Sequence, residues 1–398
     1  MTRAGLSVAV IGGGIGGLAA AVSLLHAGFD VEVYEQASAL SEVGAGIQIS
    51  PNGTRILQRL GLAEALAQRG VRPVAVHQRR WDDGRTLQRA PLGETVERTF
   101  GAPYYHFHRA DLLAAIAGAL PARRVHVGHR LVDAVDHGDR VEARFENGTR
   151  ISRDILIGAD GIHSRVRQIL FGEDRPRFTG CVAYRGLVPA ERLATLNLEV
   201  TSNSWMGPGG HFVHYYVAGG RLMNFVAVRE EDSWTHESWI DRGDVADALR
   251  LFEGWHPCVR AIIGAVDETF KWALFDREPL PRWSVGRMTL LGDSCHAMLP
   301  FMGQGAVQSI EDGATLTACL VQAAGDLSAA LARYETLRKP RTTRLQEMSR
   351  HNKTRFHLPD GVDQQKRDAQ AAVAGDRSIA AVGWLYGHDA DVLPGAAA

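Results

Sequence analysis

The chain has no surplus of charge, no paired cysteines and no long apolar run, and each absence removes a class of protein. Its 44 Lys and Arg against 45 Asp and Glu leave a formal net charge of −1. Nothing electrostatic therefore draws it to nucleic acid or to an anionic membrane. No apolar run approaches the roughly 20 residues of a membrane span, and the start shows no leader-type apolar core with a cleavage site. The four cysteines, Cys181, Cys258, Cys295 and Cys319, are widely spaced. They read as reduced, structural side chains of a cytoplasmic protein, and they exclude a disulfide reductase, which needs a close cysteine pair. His106, His108, His211 and His214 fall in strand-like stretches, and nothing in their spacing resembles a metal site. What remains, 398 residues at 45% hydrophobic and 22% charged, is an ordinary globular composition with enough chain for a substantial core.

The most informative segment is the first. Val8-Ala9-Val10-Ile11 runs into Gly12-Gly13-Gly14-Ile15-Gly16-Gly17, an apolar helix pattern, and Val31-Glu32-Val33-Tyr34-Glu35. Strand, glycine turn, helix and a second strand ending in an acid make up a dinucleotide-binding βαβ unit. Gly12 permits the tight turn, Gly14 lets backbone approach a pyrophosphate, and Gly17 lets helix and strand pack closely. The helix start offers free N–H groups and a positive dipole end to phosphates. Glu35, 18 residues beyond Gly17, is placed to accept hydrogen bonds from ribose hydroxyls. This unit alone leaves NAD and FAD open.

Two further motifs follow. Asp154 to Asp160 reads as a buried strand ending in Asp160-Gly161, with Ser164-Arg165-Val166-Arg167 opening a helix. Met288 to Leu291 is another buried strand, running into Gly292-Asp293, then Gly303-Gln304-Gly305-Ala306 at the start of a long helix. Between them, Cys181 to Val228 is β-rich and aromatic. The segment from Val74 to Trp81 suggests short strands outside the first unit, and the tail beyond His357 reads as irregular, with 394–398 frayed. There is no internal repeat. The expected fold class is α/β: a Rossmann-type FAD-binding domain with an inserted β-sheet substrate domain. The divisions are 1–72, 105–178 and 277–355 for the FAD-binding part, 73–104 and 179–276 for the substrate part, and 356–398 for the tail.

These three motifs, in this order and spanning nearly the whole chain, resemble the FAD-dependent aromatic hydroxylases. These are single-component flavin monooxygenases with the 4-hydroxybenzoate hydroxylase fold. Within that family the chain is similar to the salicylate hydroxylase, 3-hydroxybenzoate 6-hydroxylase and 6-hydroxynicotinate 3-monooxygenase branch. The run from Arg177 to Gly186 and His296-Ala297-Met298-Leu299-Pro300 are similar to salicylate hydroxylase. Gly44-Ala45-Gly46-Ile47-Gln48 and Asp276-Arg277-Glu278-Pro279 are similar to 3-hydroxybenzoate 6-hydroxylase. Many members carry Asn where this chain has Val307, a change shared with salicylate hydroxylases.

The resemblance implies roles. Glu35 would hold the adenosine ribose of FAD, Arg109 would reach the cofactor's phosphate and ribose region, and Asp293 would bind the ribityl–pyrophosphate region. Gly303, Gly305 and the Ala306 N–H would face the flavin pyrimidine edge. Asp160 lies in a motif implicated in both FAD and NAD(P)H binding. With no second fingerprint, NAD(P)H would bind transiently as a co-substrate. Taken singly, Asp160 and Asp293 could equally be helix caps, and Gly303 to Gly305 an ordinary helix start.

In Gly210-His211-Phe212-Val213-His214-Tyr215-Tyr216, alternation puts His211, Val213 and Tyr215 on one face. The resemblance makes His211 a base for the substrate phenol, a task suited to a side chain that titrates at about 6.5. Tyr215 would stand beside it. The alternative is that His211 only hydrogen-bonds within the sheet and Tyr215 only packs. Gln48 would lie beside the flavin ring. The 6-hydroxynicotinate enzymes carry His there, which counts against that substrate.

The implied reaction is reduction of FAD by NAD(P)H, addition of O₂ at the flavin C4a, and transfer of OH from the hydroperoxide to a small phenolic acid. Salicylate, hydroxylated with decarboxylation to catechol, comes first; 3-hydroxybenzoate and 6-hydroxynicotinate follow. An oxidase, or a flavin-binding protein without hydroxylase activity, is the reading from outside this class. The oligomeric state is left open, with a homodimer among the options.

Overall fold

A computed structural model describes residues 5–40, 45–232, 242–374 and 378–394. Ser7–Ile11, a buried run of β-branched and small residues, is an interior strand of a sheet whose order is Ser284–Val285, Met288–Leu290, Ile155–Gly158, Ser7–Ile11, Asp30–Tyr34, Val125–His126. All neighbours pair in parallel except the Ser284–Val285 edge. Parallel strands must be covered on both faces. One cover is the pair of helices Ile15–His26 and Gly305–Gln322. They meet through small residues: a Cβ added to Gly313 would lie 2.7 Å from Ala20 Cα. The chain leaves the C-terminal ends of three of these strands at Gly12, Ala159 and Leu291. In open α/β sheets that edge is where ligands bind. A three-stranded meander, Leu131–Asp136, Val141–Phe145 and Arg150–Arg153, is a separate layer.

The second large sheet runs Arg242–Gly243, Thr269–Asp276, Arg177–Pro189, Leu222–Glu230, Gly210–Val217, Ser202–Gly207, Ala75–Arg80, Thr86–Pro91. One face, with Tyr184, Phe212 and Phe225, is buried against helices Val245–Leu251 and Pro257–Gly264 through Ala248, Phe252, Val259 and Ile262. The opposite face turns toward Leu299, Phe301 and Phe356 of the FAD-binding side. Both faces carry an apolar cluster, so the sheet joins two cores.

Two readings change. Within 72–100 the strands stop at Pro91, and Gly93–Phe100 is a helix with Gly101 as its left-handed cap. The tail beyond His357 is structured: Val362–Ala374 is helical, and Arg80 pairs with Asp360 and Asp368. Its Ala, Gln, Lys and Arg residues are good helix formers. Of the frayed end expected at 394–398, residues 395–398 lie outside the described residues, as does residue 44 of the segment leading to Gln48. No helix among the described residues is long and apolar enough to cross a membrane.

Candidate active site

At the first turn each glycine has a separate reason. Gly12 adopts φ +110°, and a Cβ there would sit 2.3 Å from the Ala159 carbonyl oxygen, so the turn passes directly beside the exit of the neighbouring strand. A Cβ on Gly17 would sit 2.1 Å from the Gly12 carbonyl oxygen. Gly14, by contrast, would carry a Cβ into open space. It caps the helix Ile15–His26 without any side-chain hydrogen bond, which leaves the first-turn N–H groups available to a ligand. The Glu35 carboxylate accepts from Gly13 N–H at 2.6 Å and Ala37 N–H at 2.8 Å, so the acid stands at the turn itself. Open N–H donors, unobstructed backbone and an adjacent carboxylate are the groups an adenosine diphosphate needs.

The second helix start has the same character. Helix Gly305–Gln322 is capped by Gln304 with no side-chain hydrogen bond and no acid in its first turn. Asp293 is close by: a Cβ on Gly305 would lie 3.9 Å from its Oδ1. Gly305 and Ala306 therefore present a positive helix end beside a carboxylate, an arrangement suited to a flavin's polar edge. The support beneath is buried and ionic. The Gln304 amide donates to Ser50 Oγ at 2.9 Å, and Asn52 Nδ2 donates to Glu311 Oε1 at 2.6 Å. Glu311 pairs with Arg338 and Arg341, and Arg338 also pairs with Asp312. Burial alone would raise both carboxyls, but the guanidiniums, with His296 acting on Asp312, outweigh it and hold each at about 2.

Asp160 has internal partners. It accepts from the N–H groups of Arg165 and Val166, which open the helix Arg165–Phe171, and from the hydroxyls of Ser164 and Ser294. Gly161 N–H also donates to Ser294 Oγ. The Asp-Gly and Gly-Asp motifs are thereby tied to each other, and the Asp160 carboxylate acts here as a helix cap.

On the inward sheet face, His211 is paired with Val228, Val213 with Val226, and Tyr215 with Asn224. His211 and Tyr215 are four residues apart on one strand, about 13 Å. At the Tyr215 end, Gln48 accepts from the Tyr104 hydroxyl at 2.6 Å and donates to Ser202 Oγ at 3.2 Å. It also faces the Tyr215 phenol and pulls it down against burial. The His106 ring lies 4.4 Å from that of Tyr215. Asn224 accepts from Gly46 N–H at 2.7 Å, and its Nδ2 is buried with no hydrogen-bond partner among the described residues. A Cβ on Gly303 would lie 3.4 Å from Gln48 Oε1, so Gln48, Tyr215 and the second glycine turn converge. At the other end the His211 ring stands perpendicular to Phe301 at 4.6 Å, and its Nδ1 is 2.7 Å from His357 Nε2. Phe301 lies two residues before Gly303, so one short turn touches both ends of the strand face.

Burial, and then the neighbouring His357, hold His211 well below the usual histidine range. His106 is pushed down to about 3 by burial. Burial raises the Tyr215 phenol, against the opposing pull of Gln48 and the Arg109 charge. At neutral pH this face therefore carries neutral imidazoles and a protonated phenol. Arg185 shares the Val213 row of the same face through Val226 and stacks over Trp272 at 4.5 Å. Sequence reasoning missed Arg185, Tyr104, Asn224, Glu230 and His357. Arg185 alone carried a signal, a charge in an otherwise apolar strand run.

Two capless helix starts at one sheet edge, facing an aromatic-lined sheet with a buried histidine, define the class: an α/β flavoprotein with a covering substrate sheet. Residues 5–349 match the family described as FAD binding domain. The chain is 44% identical over 383 residues to a 3-amino-4-hydroxybenzoate 2-monooxygenase of Streptomyces platensis, covering 96% of each. It is 39% identical over 349 residues to 6-hydroxynicotinate 3-monooxygenase of Pseudomonas fluorescens, covering 87% of this chain and 90% of that one. It is 35% identical over 392 residues to 3-hydroxybenzoate 6-hydroxylase of Klebsiella oxytoca, covering 96% of each. Among solved structures it resembles HpxO of Klebsiella pneumoniae complexed with FAD and uric acid, with TM-score 0.86 and 30% identity over 96% of each chain. It also resembles a salicylate hydroxylase substrate complex, with TM-score 0.82 and 26% identity over 100% of each. The chain belongs to the FAD-binding-domain family and is an FAD-dependent aromatic monooxygenase.

Proposed function

We propose that the protein hydroxylates a small benzoate bearing an electron-donating hydroxyl or amino group, with 3-amino-4-hydroxybenzoate ahead of 3-hydroxybenzoate and 6-hydroxynicotinate. The expectation that put salicylate first gives way: the three relatives above act on other acids, and the salicylate likeness is one of fold at 26% identity. The observation that carries the reading is the sheet face with His211 at one end and Tyr215 with Gln48 at the other. About 13 Å suits one substituted ring lying across Val213.

FAD held at the two glycine turns would supply the oxygen-activating chemistry, with NAD(P)H as its reductant. The rest belongs to the chain. His211, neutral at pH 7, accepts the proton from the ring substituent whose electrons activate the attacked carbon. Tyr215, Gln48 and Asn224 offer hydroxyl and amide groups to fix the ring's orientation. Arg185 provides a cation for the carboxylate, in the planar two-point form guanidinium favours. The apolar wall of Phe301, Leu299 and Trp272 excludes water, which preserves oxygen transfer against wasteful peroxide release. The test is a panel of the three acids and salicylate, each mixed with holoenzyme and NADH or NADPH. Stimulated NAD(P)H loss should accompany an oxygenated product by mass spectrometry, and most efficiently with the aminohydroxybenzoate. Absence of oxygenated product from all four refutes the reading.

A further inference from the structure

His357 lies outside every motif in the chain, just beyond the helix Leu327–Phe356. Its side chain is only 2% exposed, yet it links the active-site face to the protein surface. His357 Nε2 is 2.7 Å from His211 Nδ1, and His357 Nδ1 is 2.9 Å from Glu230 Oε1. Glu230 ends the strand Leu222–Glu230, and its side chain is 44% exposed. Hydrogen counting fixes where the protons sit. An ionised carboxylate only accepts, so His357 Nδ1 carries a proton and Nε2 keeps its lone pair. His211 Nδ1 must then be the donor to His357, which leaves the lone pair of neutral His211 on Nε2, the tautomer a base requires.

We propose that His211, His357 and Glu230 form a proton relay that carries the proton leaving the substrate out to solvent, with His357 as the positioning residue that fixes the His211 tautomer. This rests on the reading of His211 as the base. The balance is simple. The substrate O–H or N–H bond breaks, its electron pair stays on the substrate, and the proton forms a bond to His211 Nε2. The His211 Nδ1 proton passes to His357 Nε2, the His357 Nδ1 proton passes to Glu230, and water removes it there. The same steps in reverse return a proton to the product oxygen or nitrogen and restore the starting tautomers. No oxidant or reductant is involved.

The surroundings favour onward transfer. Burial makes a charged His211 unfavourable, so the proton does not rest there. The hydrogen bond from His357 lowers the Glu230 carboxyl, against partial burial and helped by Lys353 and Arg229, so Glu230 is ionised at neutral pH. Lys353 Nζ is 4.0 Å from Glu230 and donates to the Thr179 carbonyl. The Cys181 thiol, within 4.8 Å of both His357 and Glu230, is pushed up to about 11 by burial and stays protonated. Phe301 and Phe356 pack edge-on against the His211 ring and hold its plane.

The test compares FAD-loaded wild type with His357→Ala, Glu230→Gln and His211→Ala. In wild type, ¹H NMR should show a far-downfield imidazole proton shared with Glu230, absent from His357→Ala and Glu230→Gln. With 3-amino-4-hydroxybenzoate, His357→Ala should keep its FAD and its KM while kcat falls about tenfold or more. Added imidazole should restore part of that loss. The wild-type kcat should fall on the acid side as Glu230 takes up a proton, and Glu230→Gln should flatten that limb. No downfield proton in wild type overturns the relay whatever the substrate, as does an unchanged kcat and pH profile in His357→Ala. If His211→Ala also turns over normally, the base reading falls with it. The wild-type product panel judges the substrate separately.

Discussion

The glycine turn can be divided into a part that folds the protein and a part that binds the cofactor. In Gly17→Ala the new methyl would sit 2.1 Å from the Gly12 carbonyl oxygen and 3.2 Å from Ala159 Cβ. Backbone cannot yield as a side-chain tip can, so helix Ile15–His26 must move off the strand by about 1 Å. Overpacking of this kind costs about 1–3 kcal/mol, which for a chain of this size lowers Tm by roughly 1 °C per kcal/mol. In Gly14→Ala the methyl meets nothing within 4 Å, and φ of −74° suits alanine. The apoprotein should melt unchanged, within about 1 °C. Its methyl should instead fill space that the open turn offers to the FAD pyrophosphate. Loss of even one charge-assisted N–H···phosphate bond, about 1.5–3 kcal/mol, weakens FAD by about tenfold to a hundredfold. Apoprotein Tm by calorimetry and FAD titration by flavin fluorescence quenching separate the two. Equal apoprotein Tm in both variants, or wild-type FAD affinity in Gly14→Ala, refutes the assignment.

His211→Ala should retain FAD and lose product formation about a hundredfold or more at pH 7, with NAD(P)H consumed and peroxide released, as coupled oxygen and product assays read. Glu311 has a folded pKa held at about 2 against an ordinary 4.5, so its contribution to stability is present above about pH 4.5 and is lost as pH falls toward 2. Thermal melts from pH 7 to pH 3 should show that loss, and Glu311→Gln should be less stable at pH 7, by about 3 kcal/mol, with a shallower acid slope. Asp160→Ala should lower Tm, because it removes a helix cap worth about 1 kcal/mol and a tie to Ser294. A variant that instead melts normally while losing FAD would move Asp160 to the cofactor.

What could be read in the sequence was what contiguous residues determine. The turn from Gly12 to Gly17, the strand that alternates through His211 and Tyr215, and the helix start at Gly305 each depend on local spacing, and each stands where its spacing put it. The roles of single acids were less legible. Asp160 and Glu35 both end strands at glycine turns, yet one carboxylate is consumed by a helix start and a serine pair, while the other stays at the open turn. Only the packing of the neighbouring strand distinguishes them. The tail failed for a different reason: its helix has no apolar stripe long enough to announce itself, and Gln364, Arg367 and Asp368 are buried through hydrogen bonds instead.

His357 shows why the active site as a whole was beyond local reading. It is 146 residues from His211 and 127 from Glu230, and no motif connects them. Two separate structural facts bring the three together. The antiparallel register sets His211 opposite Val228 and Gly210 opposite Arg229, which puts Glu230 just past the end of the same ladder. The thirty-residue helix Leu327–Phe356 then runs from the ion network of Arg338 beneath the second glycine turn to the edge of the substrate sheet. One helix thus carries Arg338, which braces the second glycine turn, and leads into His357, which the relay assigns to positioning His211. Any change that tilts this helix should disturb cofactor contact and proton transfer together, whereas a change at His357 alone should disturb only the second.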